Sequence, residues 1–158
     1  MGAPKLGAKV KAFRAASTTG ADFTLADAQG KALLLYFYPK DATTGCANQA
    51  RAFRDLHAQF TRAGALVLGV SRDSIKSHDR FRDKEALPFH LLSDEDEKLC
   101  ALFDVIHEKS LYGRRYMGIE RSTFLIDSHG VLRHEWRKVK VAGHAQEVLD
   151  VLRSLGST

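Results

Sequence analysis

One apolar run, Ala32–Tyr38, limits the folds open to this chain more than any other segment. Its seven residues end at Pro39, and they are far fewer than the roughly 20 that cross a bilayer. Leucine and aromatic side chains follow one another in it without alternation, which is typical of a strand buried on both faces. Because such a strand needs a packed layer on each side, the run predicts a central strand in an α/β domain.

The rest of the chain alternates between helical and extended patterns. The predicted helices cover Gly45–Arg62, Ser74–Ala86, Asp94–Val105 and His144–Leu155, and the predicted strands cover Phe23–Leu25, Leu66–Ser71, Phe89–Leu92, Ser122–Asp127 and Val131–Lys138. This order predicts an α/β protein with a mixed central sheet, whose last two strands form a hairpin. It resembles a thioredoxin-like fold, with helices flanking the sheet and an N-terminal β-hairpin extension, and we expect a single domain over residues 1–158.

Composition and charge exclude several classes of protein. The 24 Lys and Arg residues exceed the 19 Asp and Glu residues, giving a formal charge of +5. The basic residues are scattered among acidic ones rather than gathered in a stripe, so we expect no nucleic-acid partner. The N-terminus leads into no apolar segment of the signal-peptide type, and we expect a soluble, cytoplasmic protein without membrane association. Two cysteines, Cys46 and Cys100, are too few for a disulfide scaffold.

Cys46 lies in the first turn of the predicted helix that follows the central strand. The N–H groups of a first turn have no partner within the helix and carry about half a positive charge, which favours a thiolate. Thr43 can direct a hydroxyl toward the sulfur or a bound oxygen, and Pro39 fixes the entry to the loop. This chemistry requires a sulfur that solvent can reach. The helical periodicity alone places Cys46 on the inward face with Phe53, which is more typical of a small core residue.

The spacing P-x3-T-x2-C after an apolar strand resembles the peroxiredoxins, and within them the Q-type or bacterioferritin comigratory protein branch. The resemblance extends through three further blocks: GVSRD at 69–73, LLSD at 91–94 and GIERSTFLID at 118–127. It implies a thioredoxin-like fold and a peroxidatic role for Cys46. It also implies that Thr43 and Pro39 complete the reactive loop and that Arg121 is the arginine of the site.

The residue types suit the reduction of a peroxide. A thiolate attacks one oxygen while the other leaves as hydroxide or alkoxide, so donors that stabilise charge on the oxygens lower the barrier. If Ser122–Asp127 runs antiparallel beside the central strand, as the resemblance implies, Arg121 reaches Cys46 and offers forked, permanently cationic donors. The resemblance also implies that no metal, haem or flavin takes part, and the seven histidines show neither HxH nor HxxxH spacing.

The chain departs from the family pattern at two positions. Thr44 stands where the branch usually has proline, and we expect it to cap the helix instead. Arg51 occupies the position five residues after Cys46, where many members carry a resolving cysteine. The remaining cysteine, Cys100, lies at the flank of a predicted apolar helix stripe, which is more typical of a half-buried small residue. We therefore expect a one-cysteine cycle, in which an external thiol attacks a Cys46 sulfenic acid and over-oxidation is a larger risk.

Two other functions share parts of this pattern. A cysteine phosphatase needs a C-x5-R loop, but Arg51 comes one residue too early and the segment after Cys46 lacks glycine. A thioredoxin-like redox-sensing module without turnover begins with the same sulfenic acid and stays open as an alternative. For the peroxidase, the expected partners are a hydroperoxide substrate and a thiol reductant, which is thioredoxin, glutaredoxin or glutathione. The resemblance implies a monomer or a weak homodimer.

Overall fold

A computed structural model describes residues 3–155 of the chain. Within this range the strands are β1 Arg14–Ser17, β2 Asp22–Thr24, β3 Ala32–Phe37, β4 Ala65–Ser71, β5 His90–Ser93, β6 Ile106–Leu111, β7 Arg114–Ile119, β8 Ser122–Ile126 and β9 Leu132–Trp136. The α-helices are α1 Thr44–Arg62, α2 Ile75–Glu85, α3 Lys98–Phe103 and α4 His144–Leu155.

A seven-stranded mixed sheet forms the centre of the molecule, with the strand order β2-β1-β5-β4-β3-β8-β9. Strand β3 is parallel to β4 and antiparallel to β8. The two N-terminal strands form an antiparallel hairpin, and β1 also pairs with β5, so the extension continues the main sheet. The predicted fold class, a mixed sheet flanked by helices with an N-terminal hairpin, is confirmed.

The central strand β3 is buried on both faces, as its apolar run predicts. Leu34 and Tyr36 are fully buried in one core with side chains of α1 and α4, whereas Leu35 and Phe37 are fully buried in a second core with side chains of α3. Full burial of one such side chain contributes about 1.5–3 kcal/mol to the free energy of unfolding, so this strand is a principal source of stability. None of the helices within residues 3–155 has the length and apolarity needed to cross a bilayer.

Helix α3 is shorter than predicted, and the expectation of a helix over Asp94–Val105 is wrong at both ends. The helix begins at Lys98, because the Asp94 carboxylate accepts hydrogen bonds from the backbone N–H groups of Leu99 (2.9 Å) and Cys100 (2.7 Å). Residues 94–97 therefore form a capping segment that precedes the helix. The helix ends where Asp104 adopts a left-handed backbone conformation, with φ of 54°.

Strands β6 and β7 form a separate antiparallel hairpin for which the sequence analysis assigned no element. Tyr112 and Gly113 connect them, and both have positive φ (51° and 78°), as a tight two-residue hairpin turn requires. Most side chains of the hairpin are exposed, so the sequence lacks the alternation of apolar and polar residues that marks a half-buried strand. Large apolar side chains are exposed on it, at Leu111, Tyr112, Tyr116 and Met117.

Candidate active site

The site lies where β3 ends and α1 begins. Thr43 has an extended backbone and is the N-cap residue, and its carbonyl accepts the first helical hydrogen bond from Ala47 N–H at 2.8 Å. Cys46 is thus the third residue of α1, within the turn whose N–H groups have no helical acceptor and carry partial positive charge. The expectation that Thr44 caps the helix is wrong, because Thr44 is already the first helical residue.

Arg121 reaches this helix terminus through the pairing of β3 with β8. Phe37 at the end of β3 lies opposite Ser122 at the start of β8, so the preceding residue extends toward α1. Arg121 Nη2 lies 3.5 Å from Cys46 Sγ, which brings together the two residues that the sequence analysis placed at the site. A Cβ at Gly45 would lie 3.2 Å from Nη2, so glycine permits the close approach of the guanidinium to α1.

The sulfur is much less open than the sequence analysis expected. Cys46 retains only 2% of its accessible surface and is part of the core that includes Tyr36 and Phe53. The expectation of a solvent-exposed thiol is therefore wrong for this conformation, because α1 turns Cys46 toward the sheet while Arg121 lies beside it. With so little of the sulfur exposed, a bulky thiol reaches it only if the loop or the guanidinium moves.

Thr43 and Pro39 shape the loop between the strand and the helix. The Thr43 hydroxyl donates to the Lys40 carbonyl at 2.9 Å and makes no helix-capping bond. This bond closes the loop on itself, and it leaves the lone pairs of the hydroxyl oxygen free to accept. Pro39 is half-buried directly after the strand, where its fixed φ sets the direction of the chain. Between them, Ala42 adopts a left-handed conformation with φ of 63°, which costs on the order of 1 kcal/mol for a residue with a Cβ.

Gln49 is a residue of the site that the sequence analysis missed. Its Oε1 accepts a hydrogen bond from Arg121 Nη1 at 2.6 Å, while the other terminal nitrogen of the arginine faces Cys46 Sγ. The two contacts use the forked geometry of one guanidinium, so Gln49 fixes the orientation of the donor that faces the sulfur. Gln49 follows Cys46 by three residues in α1, which places both side chains on the same face of the helix. This spacing was the sequence signal that could have identified Gln49 as a neighbour of Cys46.

Two further side chains contribute to the electrostatics of the site. The Tyr36 hydroxyl is buried without a hydrogen-bond partner among residues 3–155, and burial, reinforced by the negative charge of Cys46, raises the pKa of that phenol well above its usual value. Lys109 comes from β6. Partial burial, together with the nearby cation Arg121, lowers the pKa of that ammonium group. The hairpin that the sequence analysis missed therefore adds a second cation near Arg121.

Cys100 lies in a different part of the molecule. It is fully buried in the core on the α3 side of the sheet, whereas Cys46 is part of the core on the α1 side. Burial raises the pKa of the Cys100 thiol far above its usual value, and the hydrogen bond and negative charge of Asp94 raise it further. Both cysteines are free thiols. The structure thus separates the two sulfurs by the central sheet.

Comparison with known proteins identifies the family. The sequence pattern of the AhpC/TSA family matches residues 6–135. The chain belongs to the AhpC/TSA family. Among curated members, Peroxiredoxin Bcp of Xanthomonas campestris pv. campestris is 53% identical over 135 residues, which cover 85% of this chain and 84% of the relative. The predicted resemblance to the Q-type or bacterioferritin comigratory branch is confirmed, and the enzyme is a peroxiredoxin with thiol peroxidase activity.

Solved structures of members of the family share this architecture. A cysteine-to-serine mutant of Xylella fastidiosa PrxQ superposes with a TM-score of 0.92 at 43% identity, covering 98% of this chain and 99% of that one. A structure of Xanthomonas campestris bacterioferritin comigratory protein, described for its alkyl peroxide reduction activity, superposes with a TM-score of 0.87 at 49% identity, covering 91% and 92%. The Xanthomonas protein has also been solved as two cysteine-to-serine mutants.

Proposed function

We propose that the protein reduces hydrogen peroxide and organic hydroperoxides through a Cys46 sulfenic acid. The contact of Arg121 Nη2 with Cys46 Sγ, at 3.5 Å and at the N-terminus of α1, carries this proposal. The thiolate attacks the terminal oxygen of the peroxide, a sulfur–oxygen bond forms and the oxygen–oxygen bond breaks. Sulfur is oxidised by two electrons, the peroxide is reduced, and the departing hydroxide or alkoxide takes up a proton to leave as water or an alcohol.

Each residue of the site has a proposed part in that step. Cys46 is the nucleophile, while Arg121 and the N–H groups of the first helical turn stabilise the thiolate and the charge that builds on the oxygens. Thr43 and Pro39 hold the loop, and the lone pairs of the Thr43 oxygen accept a hydrogen bond from the peroxide. Gln49 keeps Arg121 in position through its 2.6 Å hydrogen bond.

We further propose that the catalytic cycle uses one cysteine. Position 51, five residues after Cys46, is arginine. The two cysteines that were replaced in the Xanthomonas mutants lie 36 residues apart, and the residue at that spacing from Cys46 here is Arg82. Cys100 lies in the core on the opposite face of the sheet, and burial and Asp94 keep it protonated. These positions leave the sulfenic acid without a nearby thiol partner in the folded chain.

An external thiol completes the proposed cycle. It attacks the sulfenic acid, releases water and leaves a mixed disulfide on Cys46. A second thiol then reduces that disulfide and restores the free cysteine. Thioredoxin, glutaredoxin and glutathione each supply this chemistry, and a peroxide that arrives before the thiol converts the sulfenic acid to sulfinic acid.

Peroxide consumption with each reductant in parallel tests the proposal. Cys46→Ser should abolish turnover, whereas Cys100→Ser should keep the rate of the peroxide step within about twofold, because Cys100 is remote from the reacting atoms. Mass spectrometry after one equivalent of peroxide should show one added oxygen on Cys46. Quantitative formation of a Cys46–Cys100 disulfide would refute the one-cysteine cycle, and a single reaction without turnover under every reductant would indicate a sensor.

A further inference from the structure

A buried polar network lies beneath the reactive loop, and the chemistry proposed for Cys46 does not involve it. Asp41, in the loop between β3 and α1, and His78, on α2, are both buried, with side-chain exposures of 3% and 0%. His78 Nδ1 lies 2.7 Å from Asp41 Oδ2, and His78 Nε2 lies 2.9 Å from the Leu92 carbonyl oxygen. The network therefore connects the loop to a helix and to a neighbouring strand of the sheet.

The hydrogen bonds of this pair hold both side chains in fixed orientations. The Leu92 carbonyl is only an acceptor, so His78 Nε2 carries a proton. The Asp41 carboxylate already accepts from the Tyr38 hydroxyl at 2.6 Å and from the Ser77 hydroxyl at 2.8 Å. One further proton lies between Asp41 Oδ2 and His78 Nδ1, so the Asp41 side chain takes part in three hydrogen bonds, with Tyr38, Ser77 and His78.

The loop backbone is held at the same place. Asp41 N–H donates to Asp73 Oδ2 at 2.9 Å, and that oxygen also accepts from the Ser71 hydroxyl at 2.6 Å. The next residue, Ala42, has φ of 63°, a conformation that a residue with a Cβ adopts only when its surroundings hold it. Carboxylate and imidazole atoms of Asp41, Asp73 and His78 lie within 4.8 Å of one another. They face hydrogen-bond donors of the protein, which is the arrangement of a structural network rather than of a metal centre.

We infer that the Asp41–His78 pair positions the reactive loop and thereby keeps Cys46 in its buried, Arg121-facing conformation. Asp41 lies five residues before Cys46, in the segment that determines where α1 begins. His78 holds the side chain of Asp41 and Asp73 holds its backbone N–H, so the loop is restrained through both its side chain and its backbone. If the pair is broken, the loop opens more often. Opening exposes the sulfur to bulky reagents and takes it away from the guanidinium.

This role predicts that two rates move in opposite directions and that faster hydrogen exchange is confined to the loop, whereas general destabilisation would speed exchange in β4 as well. The rate constant for peroxide reduction should fall, since alignment with Arg121 is lost for part of the time. The rate of alkylation of Cys46 by iodoacetamide at pH 9.5, above the ordinary cysteine pKa of about 8.5, should rise, since access then limits it. The inference rests on the proposed function only for the first of these rates.

The test uses His78→Leu, which removes both nitrogen atoms of the pair, with Arg82→Gln as the matched control. Arg82 is also on α2, but its side chain donates to the Phe89 carbonyl at 2.9 Å and has no bond to the loop. In His78→Leu we expect amides 40–46 to exchange hydrogen on the order of tenfold faster relative to those of β4, with alkylation about tenfold faster and peroxide reduction about twofold slower. In Arg82→Gln all three should match the unmodified protein.

If His78→Leu does not fold, the same measurements are made on Asp41→Asn. This substitution keeps the shape of the side chain and replaces one carboxylate oxygen with an NH2 group, which weakens the contact with His78. Unchanged exchange and alkylation in whichever of these two variants folds would overturn the inference, and so would equal changes in Arg82→Gln. Hydrogen exchange and alkylation involve no peroxide. If they change as expected while peroxide reduction is absent in every variant, the positioning role stands and the proposed peroxidase chemistry fails.

Discussion

Replacing Arg121 with glutamine removes the cation beside Cys46, and it should move the alkylation of Cys46 to higher pH. Arg121 Nη2 lies 3.5 Å from Cys46 Sγ. Two unit charges at that separation interact by about 1.2 kcal/mol in bulk water and by about 4.7 kcal/mol at an effective dielectric constant of about 20. Because Arg121 is half-buried, the lower half of this range applies. About 1.4 kcal/mol corresponds to a tenfold change in an equilibrium constant, so we expect alkylation near neutral pH to slow by about 10- to 100-fold.

The assay is the rate of iodoacetamide alkylation between pH 5 and pH 10, in a Cys100→Ser background that leaves Cys46 as the single cysteine. Stopped-flow peroxide reduction at pH 7 should also slow by on the order of 100-fold, the usual cost of removing one donor to a developing oxyanion. Arg133→Gln is the control. Arg133 is a cation on β9, away from the site, and its side chain donates to the Asp127 carboxylate at 3.2 Å.

Two results would refute this reasoning. An unchanged alkylation profile in Arg121→Gln would show that the guanidinium does not stabilise the thiolate. An equal shift in Arg133→Gln would show that net charge, rather than the contact at the helix terminus, sets the profile. Arg121→Lys separates charge from geometry, since it keeps the cation without the fork and should recover the profile better than the peroxide rate.

Two more predictions concern neighbours of the site. Gln49→Leu should lower the rate constant of peroxide reduction by about tenfold, because the guanidinium of Arg121 loses its 2.6 Å acceptor; Gln49→Glu keeps an acceptor, and an equal loss in both variants would contradict the positioning role. Burial lowers the pKa of His144 to about 4. The unfolded chain protonates this residue below about pH 6.5 while the folded protein does not, so His144 should cost about 2 kcal/mol of unfolding free energy between pH 7 and pH 5. Urea unfolding of His144→Gln at both pH values should lack that loss, and an identical loss would contradict the assignment.

The parts of the fold that the sequence predicted correctly depend on strong local signals. The apolar run Ala32–Tyr38 has no alternation, and in the structure its residues 33–38 are buried on both faces of the sheet. The helix after it shows a clear 3.6-residue period and ends at Arg62, as predicted. Local signals alone could not predict that Arg121 lies close to Cys46. That proximity depends on the antiparallel pairing of β8 with β3, which was expected from the family resemblance.

The features that the sequence analysis missed depend on long-range contacts or on exposure. The β6–β7 hairpin is largely exposed, so no apolar period marks it. Helix α3 begins at Lys98 rather than at the predicted Asp94, because the side chain of Asp94 accepts hydrogen bonds from two backbone N–H groups of the first turn. Asp41 and His78 lie 37 residues apart, and each occurs in a polar segment that is typical of a solvated surface. Only the packing of α2 against the loop shows that the two side chains are buried together.

The burial of Cys46 and its separation from Cys100 both slow the attack of a thiol on the sulfenic acid. In the proposed cycle this step competes with over-oxidation to sulfinic acid. Cys46 is 2% exposed, so a protein thiol can reach its sulfur only when the loop opens, and the second half of the proposed cycle depends on that opening. An internal disulfide would require both cores of the sheet to open, which costs far more than releasing one loop. The sulfenic acid therefore waits for a thiol while remaining within reach of more peroxide. The amount of sulfinic acid formed per turnover should rise with peroxide concentration and fall with reductant concentration. How often the loop opens sets the rate at which the thiol reacts, relative to the rate of over-oxidation.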